Sequence, residues 1–278
     1  VPVGESEIHV DKELAINPGQ VFGEIQGIET QDPAFGLKAW WIDPQQRDDA
    51  QGKGYTVVDA STVVATHLSH LLQQHAHELL GHENVQQLLD MLAKSSPNLV
   101  ETLVPKTLAL GVVVKVLQNL LEEGVPIRDL RSIAGTLAEQ GVRSQDPDVL
   151  TGAVRITLSR MIYQKINGME QVLPAMTLEP KLEQLLLQSM QGAQEGAPGV
   201  EPGLAENMLN SLQEQTRHQE LNGGPAVLLV PPLLRRWLAQ FVRGSVPGLS
   251  VLSYNEVPAQ KQIKVIATIG GEAWQKAG

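Results

Sequence analysis

The sequence predicts a mixed α/β (α+β) protein of several packed units: a mixed α/β N-terminal unit, a helical middle unit and a small α/β C-terminal unit. Three patterns predict this. Residues 55–58 read as a strand that feeds a histidine-rich helix directly. Residues 83–166 carry almost unbroken helical periodicity. From Gln171 onward, apolar strand-like runs alternate with helical ones.

In chain order, residues 1–10 can hold a strand with Ile8 and Val10 facing one way. Leu14 to Ile25 places a turn at Asn17-Pro18-Gly19 between two apolar segments. Asp32 to Leu37 is a loop, because Pro33 turns Asp32 away from helical geometry and Gly36 permits a further bend. Ala39 to Ile42 is a strand whose adjacent Trp40 and Trp41 point to opposite faces. Residues 43–53 are polar and read as a short helix or loop. Tyr55 to Val58 suits a strand, Asp59 caps a long helix and Gly81 is placed to end it.

In the middle unit, Glu83 to Ala93 forms a helix with Val85, Leu88, Leu89 and Leu92 inward, and Asn98 to Val104 a short one stopped by Pro105. Thr107 is placed to cap a helix whose stripe is Val113, Val116, Leu117, Leu120 and Leu121, ended by Gly124 and Pro126. Arg128 to Gln140 turns Leu130, Ile133, Ala134 and Leu137 inward. Asp146 and Pro147 start a last long helix with Leu150, Val154, Leu158, Met161 and Ile162 inside.

In the last unit, Gln171 to Leu178 is a strand and Pro180 to Met190 a helix. Residues 191–203 are rich in Gly and Pro and form a flexible insertion. Helix Leu204 to Glu220, strand Ala226 to Val230, helix Pro232 to Arg243 and strands Leu249 to Ser253 and Gln262 to Thr268 follow. The run AVLLV is apolar throughout, as a central buried strand requires.

Composition narrows the function. Hydrophobic residues make up 42% and aromatics 4%, so the core is aliphatic. A net charge of -10 with no basic cluster denser than Arg235-Arg236 argues against nucleic acid as a partner. There is no cysteine, hence neither disulfide nor thiol nucleophile. The longest apolar run, Leu108 to Leu121, is broken by Lys115, Gln118 and Asn119, so no membrane span is expected. The chain opens on Val1 and reads as a piece of something longer.

Five of the seven histidines, His67, His70, His75, His77 and His82, fall in or just after the long helix. They raise the alternative of a zinc-dependent hydrolase, since His77-Glu78-Leu79-Leu80-Gly81-His82 nearly matches HExxH. The spacing fails: a second histidine five positions on is rotated about 140° from the first. His67 and His70 lie three apart, but His77 sits about 10 Å further along the axis, too far to share an ion. No metal or other cofactor is expected. There is no nucleophile elbow, phosphate loop or dinucleotide fingerprint, and no enzymatic activity is expected. A helix-turn-helix around Gly124 to Ile127 would display Arg128, Arg131 and Arg143, but Asp129 and Glu139 intersperse them. On the long helix, Val64, Leu68, Leu71 and Leu72 define the expected buried side. Thr66, His70 and His77 fall within ~40° of one another on the other side, an ordinary wet face or a recognition surface.

Longer strings carry a resemblance. DPAFGL (Asp32 to Leu37), the Trp41-Ile42 strand end and TVVDASTVVATHLSHL (Thr56 to Leu71) resemble the FlhA family of flagellar type III export-gate proteins (FHIPEP proteins). The likeness continues through Leu103 to Ile133, Glu201 to Leu209, Pro225 to Arg235 and Ile263 to Glu272. It implies the cytoplasmic part of a bacterial inner-membrane protein, N-terminally truncated. Residues 1–79 would be the remainder of interleaved first and second subdomains (the second about 11–59), 80–158 a helical third and 159–278 an α/β fourth. It implies a docking platform for flagellar export chaperones carrying late substrates, contributing to ordered export. The partners would also include export ATPase complex components, other export-gate subunits and further copies of the chain in a nonameric ring. The chaperone-docking residues of the family correspond here to Asp32, Phe35, Thr66, Leu14 and Pro18. An exposed Phe35 would anchor an apolar partner helix and Asp32 would accept hydrogen bonds from it.

Overall fold

The computed structural model describes residues 6–192 and 200–270. The chain divides into two units, Val1–Leu79 and Leu80–Gly278.

The first unit is built on a four-stranded antiparallel sheet. Its strands are β1 (Glu13–Ile16), β2 (Ile28–Gln31), β3 (Lys38–Ile42) and β4 (Thr56–Asp59), in the order β2-β3-β1-β4. Strand alternation divides neighbours between two faces. Leu14, Ala39 and Trp41 face helix α2 (Ala60–Gln74) and pack on Ala60 and Val63. Ala15, Ile42 and Val57 face the other way, with Tyr55 and Ala50 of the short helix α1 (Arg47–Gly52). Trp41 is thus core, while half-buried Trp40 meets Tyr55 edge-on, with centroids 5.6 Å apart. β2 was not legible: IETQ is polar and lies on the sheet edge, where one side of the ladder needs no partner. Among residues 6–10 no strand forms, and residues 1–5 lie outside the described ones. Nor does the apolar segment after the Asn17 turn become a strand.

Two expectations for the long helix are corrected. It stops at Gln74, where His75 leaves helical geometry and its Nδ1 meets Glu78 Oε1 at 2.8 Å; a separate turn α3 (Ala76–Leu79) follows. Its sheet-facing side is not the apolar one. Ala60 and Val63 are buried and Thr66, His67, His70 and Leu71 half-buried, whereas Val64, Leu68 and Leu72 are 48%, 55% and 50% exposed. The cause is the connection: β4 ends at Asp59 and α2 begins at Ala60, with no loop between. The strand end, pinned by the Thr62 N–H donating to Asp59 Oδ1 at 2.8 Å, fixes the rotation of the helix. Hydrophobicity does not choose the phase there.

The second unit places a parallel sheet between helical layers. Helices α4 (His82–Ala93), α5 (Pro97–Glu101), α6 (Leu110–Glu122), α7 (Leu130–Gln140), α8 (Pro147–Thr157) and α9 (Ser159–Asn167) precede it. The sheet comprises β5 (Val172–Leu178), β6 (Val227–Val230), β7 (Ser250–Ser253) and β8 (Gln262–Ile269), in the order β7-β6-β5-β8. Leu173, Ala175, Val227, Leu229 and Leu252 share one core with the helices that precede the sheet. Met176, Leu228 and Val230 face α10 (Pro180–Gly192), α11 (Pro202–Leu221) and α12 (Pro232–Val242). The stripe of α6 lies inside as its period requires: Val113, Val116, Leu117 and Leu120 are buried. Asp129 and Asp146 cap α7 and α8. Thr107 does not cap α6; its hydroxyl donates to Thr102 O within the distorted turn after α5, and α6 starts after Ala109. The expected last long helix breaks at Leu158 into α8 and α9. The Gly/Pro-rich insertion at 191–203 falls largely on 193–199, outside the described residues.

A buried charge network ties this unit together. Arg155 of α8 donates twice to Glu256, Nε to Oε1 and Nη2 to Oε2, both at 2.9 Å. Its Nη1 reaches Glu123 Oε2 at 2.8 Å, and Arg235 of α12 pairs with the same carboxylate. Burial pushes the Glu123 carboxyl up, but Arg235 and then Arg155 outweigh it and hold it below the usual range. Arg236 pairs with Asp148 at 2.7 Å. The densest basic pair of the sequence is therefore structural. No described helix is long and apolar enough to cross a membrane.

Candidate docking surface

The candidate site lies in the first unit, at the sheet end where β2 turns into β3 and β1 runs out. The turn is closed by its own backbone: the Asp32 N–H donates to Leu37 O and the Gly36 N–H to Asp32 O, both at 2.8 Å. The Phe35 N–H donates to Asp32 Oδ2 at 2.8 Å. Gly36 sits at φ 68°, where a side chain would be strained. The loop turns Ala34 inward and the next side chain out. Phe35 is 66% exposed.

α2 returns along the sheet from β4 and brings its third turn to this loop. The Phe35 ring meets the His70 ring edge-on, centroids 5.9 Å apart at 61°. This is a favourable aromatic geometry. Gln74 Nε2 lies 2.7 Å from His70 Nε2. Thr66 sits one helical turn before His70 on the same side, half-buried. Beside the loop, Glu29, Gln31, Asp32, Gly36, Lys38 and Trp41 help line a mainly polar groove of about 600 Å³.

The expected residues therefore play different parts. Phe35 is displayed. Asp32 is only 4% exposed and uses one carboxylate oxygen to hold the loop, so its first role is internal rather than as an acceptor for a partner. Leu14 is fully buried in β1, opposite Trp41 and Val58; it cannot present its side chain and supports the surface from below. Pro18 is exposed in a turn closed by the Gly19 N–H donating to Asn17 Oδ1 at 2.8 Å, and the Asn17 N–H donates to Lys38 O at 2.8 Å. That bond ties the Pro18 turn to the strand leaving the Phe35 loop. His70 was grouped with Thr66 by helical phase alone; nothing in the sequence pairs it with Phe35, 35 positions earlier.

His67 meets Ser6 and His70 meets Gln74, while His75 and His77 stack with centroids 6.4 Å apart and both approach Glu78. Among the described residues no group of three or more His, Asp or Glu side chains is arranged to hold a metal ion.

Comparison with known proteins supplies the lineage. The model of the FHIPEP family matches residues 1–262. The chain belongs to the FHIPEP family. It is 48% identical over 272 residues to the flagellar biosynthesis protein FlhA of Escherichia coli (strain K12), covering 98% of this chain and 39% of that protein. Against FlhA of Salmonella typhimurium the identity is 47% over 273 residues, covering 98% and 39%. The chain thus spans about two fifths of these FHIPEP proteins. Among solved structures, a nonameric EPEC SctV-C is similar at a TM-score of 0.75 and 25% identity, covering 94% of this chain and 79% of that one. The mixed α/β fold is that of this export-gate family.

Proposed function

We propose that this chain is the cytoplasmic docking platform of a flagellar type III export gate, receiving export chaperones with bound late substrates and contributing to the order of export. The observation that carries it is Phe35, an aromatic ring displayed on a loop whose backbone is held in place, in a chain of the FHIPEP family. An aromatic carried on a fixed backbone gains contact with an apolar partner helix and loses only side-chain freedom in doing so. The platform binds and releases without catalysing a reaction. In the complete protein it works below a membrane-embedded part, beside other gate subunits and the export ATPase complex. Likeness to a nonameric SctV-C supports assembly of several copies into a ring.

The test is calorimetric titration of a flagellar chaperone–substrate complex into the protein. Phe35→Ala is expected to weaken binding at least tenfold with unchanged circular dichroism. Equal affinity in the folded variant refutes the reading. Asp32→Ala is expected to act by releasing the loop, so its binding loss comes with increased protease sensitivity around residues 32–37.

A further inference from the structure

We infer that His70 is a positioning residue of the docking surface: it fixes the orientation of the Phe35 ring and joins Phe35 to Thr66 as one recognition surface. The inference rests on the docking role proposed above.

The backbone of Phe35 is held by Asp32 and by the turn at Gly36, but these bonds leave its side-chain torsions open. A ring 66% exposed has few neighbours to choose its rotamer. His70 is its aromatic neighbour, with centroids 5.9 Å apart at 61°. His70 is itself well anchored. It lies on a 15-residue helix, is half-buried, and has its Nε2 against the Gln74 amide at 2.7 Å. The ring on the loop thus rests against a ring carried by a helix.

The same contact solves a geometric problem. Phe35 and Thr66 lie on separate elements, a loop and a helix. His70 follows Thr66 by one turn, so its side chain lies beside that of Thr66 along one face. A partner that spans Phe35 and Thr66 meets His70, which neighbours both. Without the ring, the loop and helix parts would be presented independently, and binding would have to order Phe35 in each encounter.

The protein has three phenylalanines, Phe22, Phe35 and Phe241, so uniform 4-fluorophenylalanine labelling gives three fluorine resonances. Phe35→Leu assigns one of them. His70→Ala is expected to move or broaden the Phe35 resonance and leave the other two in place. It is expected to weaken chaperone–substrate binding about tenfold without changing the melting temperature. His70→Phe, which keeps a ring but not the Gln74 contact, is expected to restore affinity to within about threefold. An unmoved Phe35 resonance in His70→Ala overturns the inference, as does unchanged affinity in that variant while Phe35→Ala loses binding. If Phe35→Ala itself binds normally, the docking role and this inference fall together, a result separate from the fluorine readout.

Discussion

Helices α2 and α6 carry similar apolar stripes and use them in opposite ways. In α6 Val113, Val116, Leu117 and Leu120 are buried in a core shared by six helices and three strands of a parallel sheet. In α2 Val64, Leu68 and Leu72 lie at i, i+4 and i+8, yet each is about half exposed, while the small side chains Ala60 and Val63 meet the sheet. α6 is reached through a distorted turn and is free to rotate its apolar side inward. α2 issues straight from β4, so its phase is inherited from the strand. Hydrophobic period predicts which side of a helix is sticky, but burial follows only where the connection allows rotation. It also separates two kinds of region. The second unit is held by a large aliphatic core and a satisfied charge network. The first has small cores on either face of its sheet, and shows side chains, Phe35 among them, that such a core would normally hide.

The largest expected effect is at the charge network. Arg155→Leu leaves Glu256, 1% exposed, without its bidentate partner and is expected to cost the second unit about 3–5 kcal/mol in urea unfolding. A loss under ~1 kcal/mol would mean that the network does not hold this unit together.

Next come the cores. Leu117→Ala in α6 is expected to cost about 2–5 kcal/mol, and Leu14→Ala in β1 a comparable amount from the first unit, because both side chains are fully buried. Loss of docking in Leu14→Ala should therefore track loss of fold. A folded Leu14→Ala variant that fails to bind would restore Leu14 as a direct contact.

Acid acts on both units by a gentler route. The Glu123 carboxyl, held low by its arginines against the upward push of burial, contributes stability that is present above its unfolded pKa and lost as pH falls through its lower folded value. The Asp59 carboxyl is held low by the Thr62 N–H and then the Thr62 hydroxyl, and has the same sign. Both units should therefore melt at lower temperature as pH drops from 5 toward 3, about the carboxylate range. Asp59→Ala should flatten that dependence in the first unit only. The smallest expected effect is on the exposed stripe: Leu68→Ala should change the stability of the isolated chain by less than about 0.5 kcal/mol, well below a core truncation. A cost near that of Leu117→Ala would show the α2 stripe to be covered in solution and remove the contrast.

Much of this was legible in the sequence because the signals are local. Asp59 and Asp146 cap the helices they were expected to cap. Pro33 and Gly36 make the loop that displays Phe35, and Trp40 and Trp41 divide between the faces of β3. AVLLV becomes the fully buried β6 with its neighbouring alanine just before it. The family was legible because long strings around Asp32 to Leu37 and Thr56 to Leu71 match it, and the family model agrees.

Relations between distant residues were settled only in three dimensions. The rotation of α2, the burial of Leu14, the inward turn of Asp32 and the meeting of Phe35 with His70 all depend on how a strand end, a turn and a helix are fixed against one sheet. Arg155 and Glu256 are 101 positions apart, and neither has a local pattern that names the other. Caps, turns and periodicity act over a few residues and leave a mark in the sequence. A side chain's neighbours across a sheet do not, because they are chosen by packing, and in this chain packing decided which of the candidate docking residues face outward.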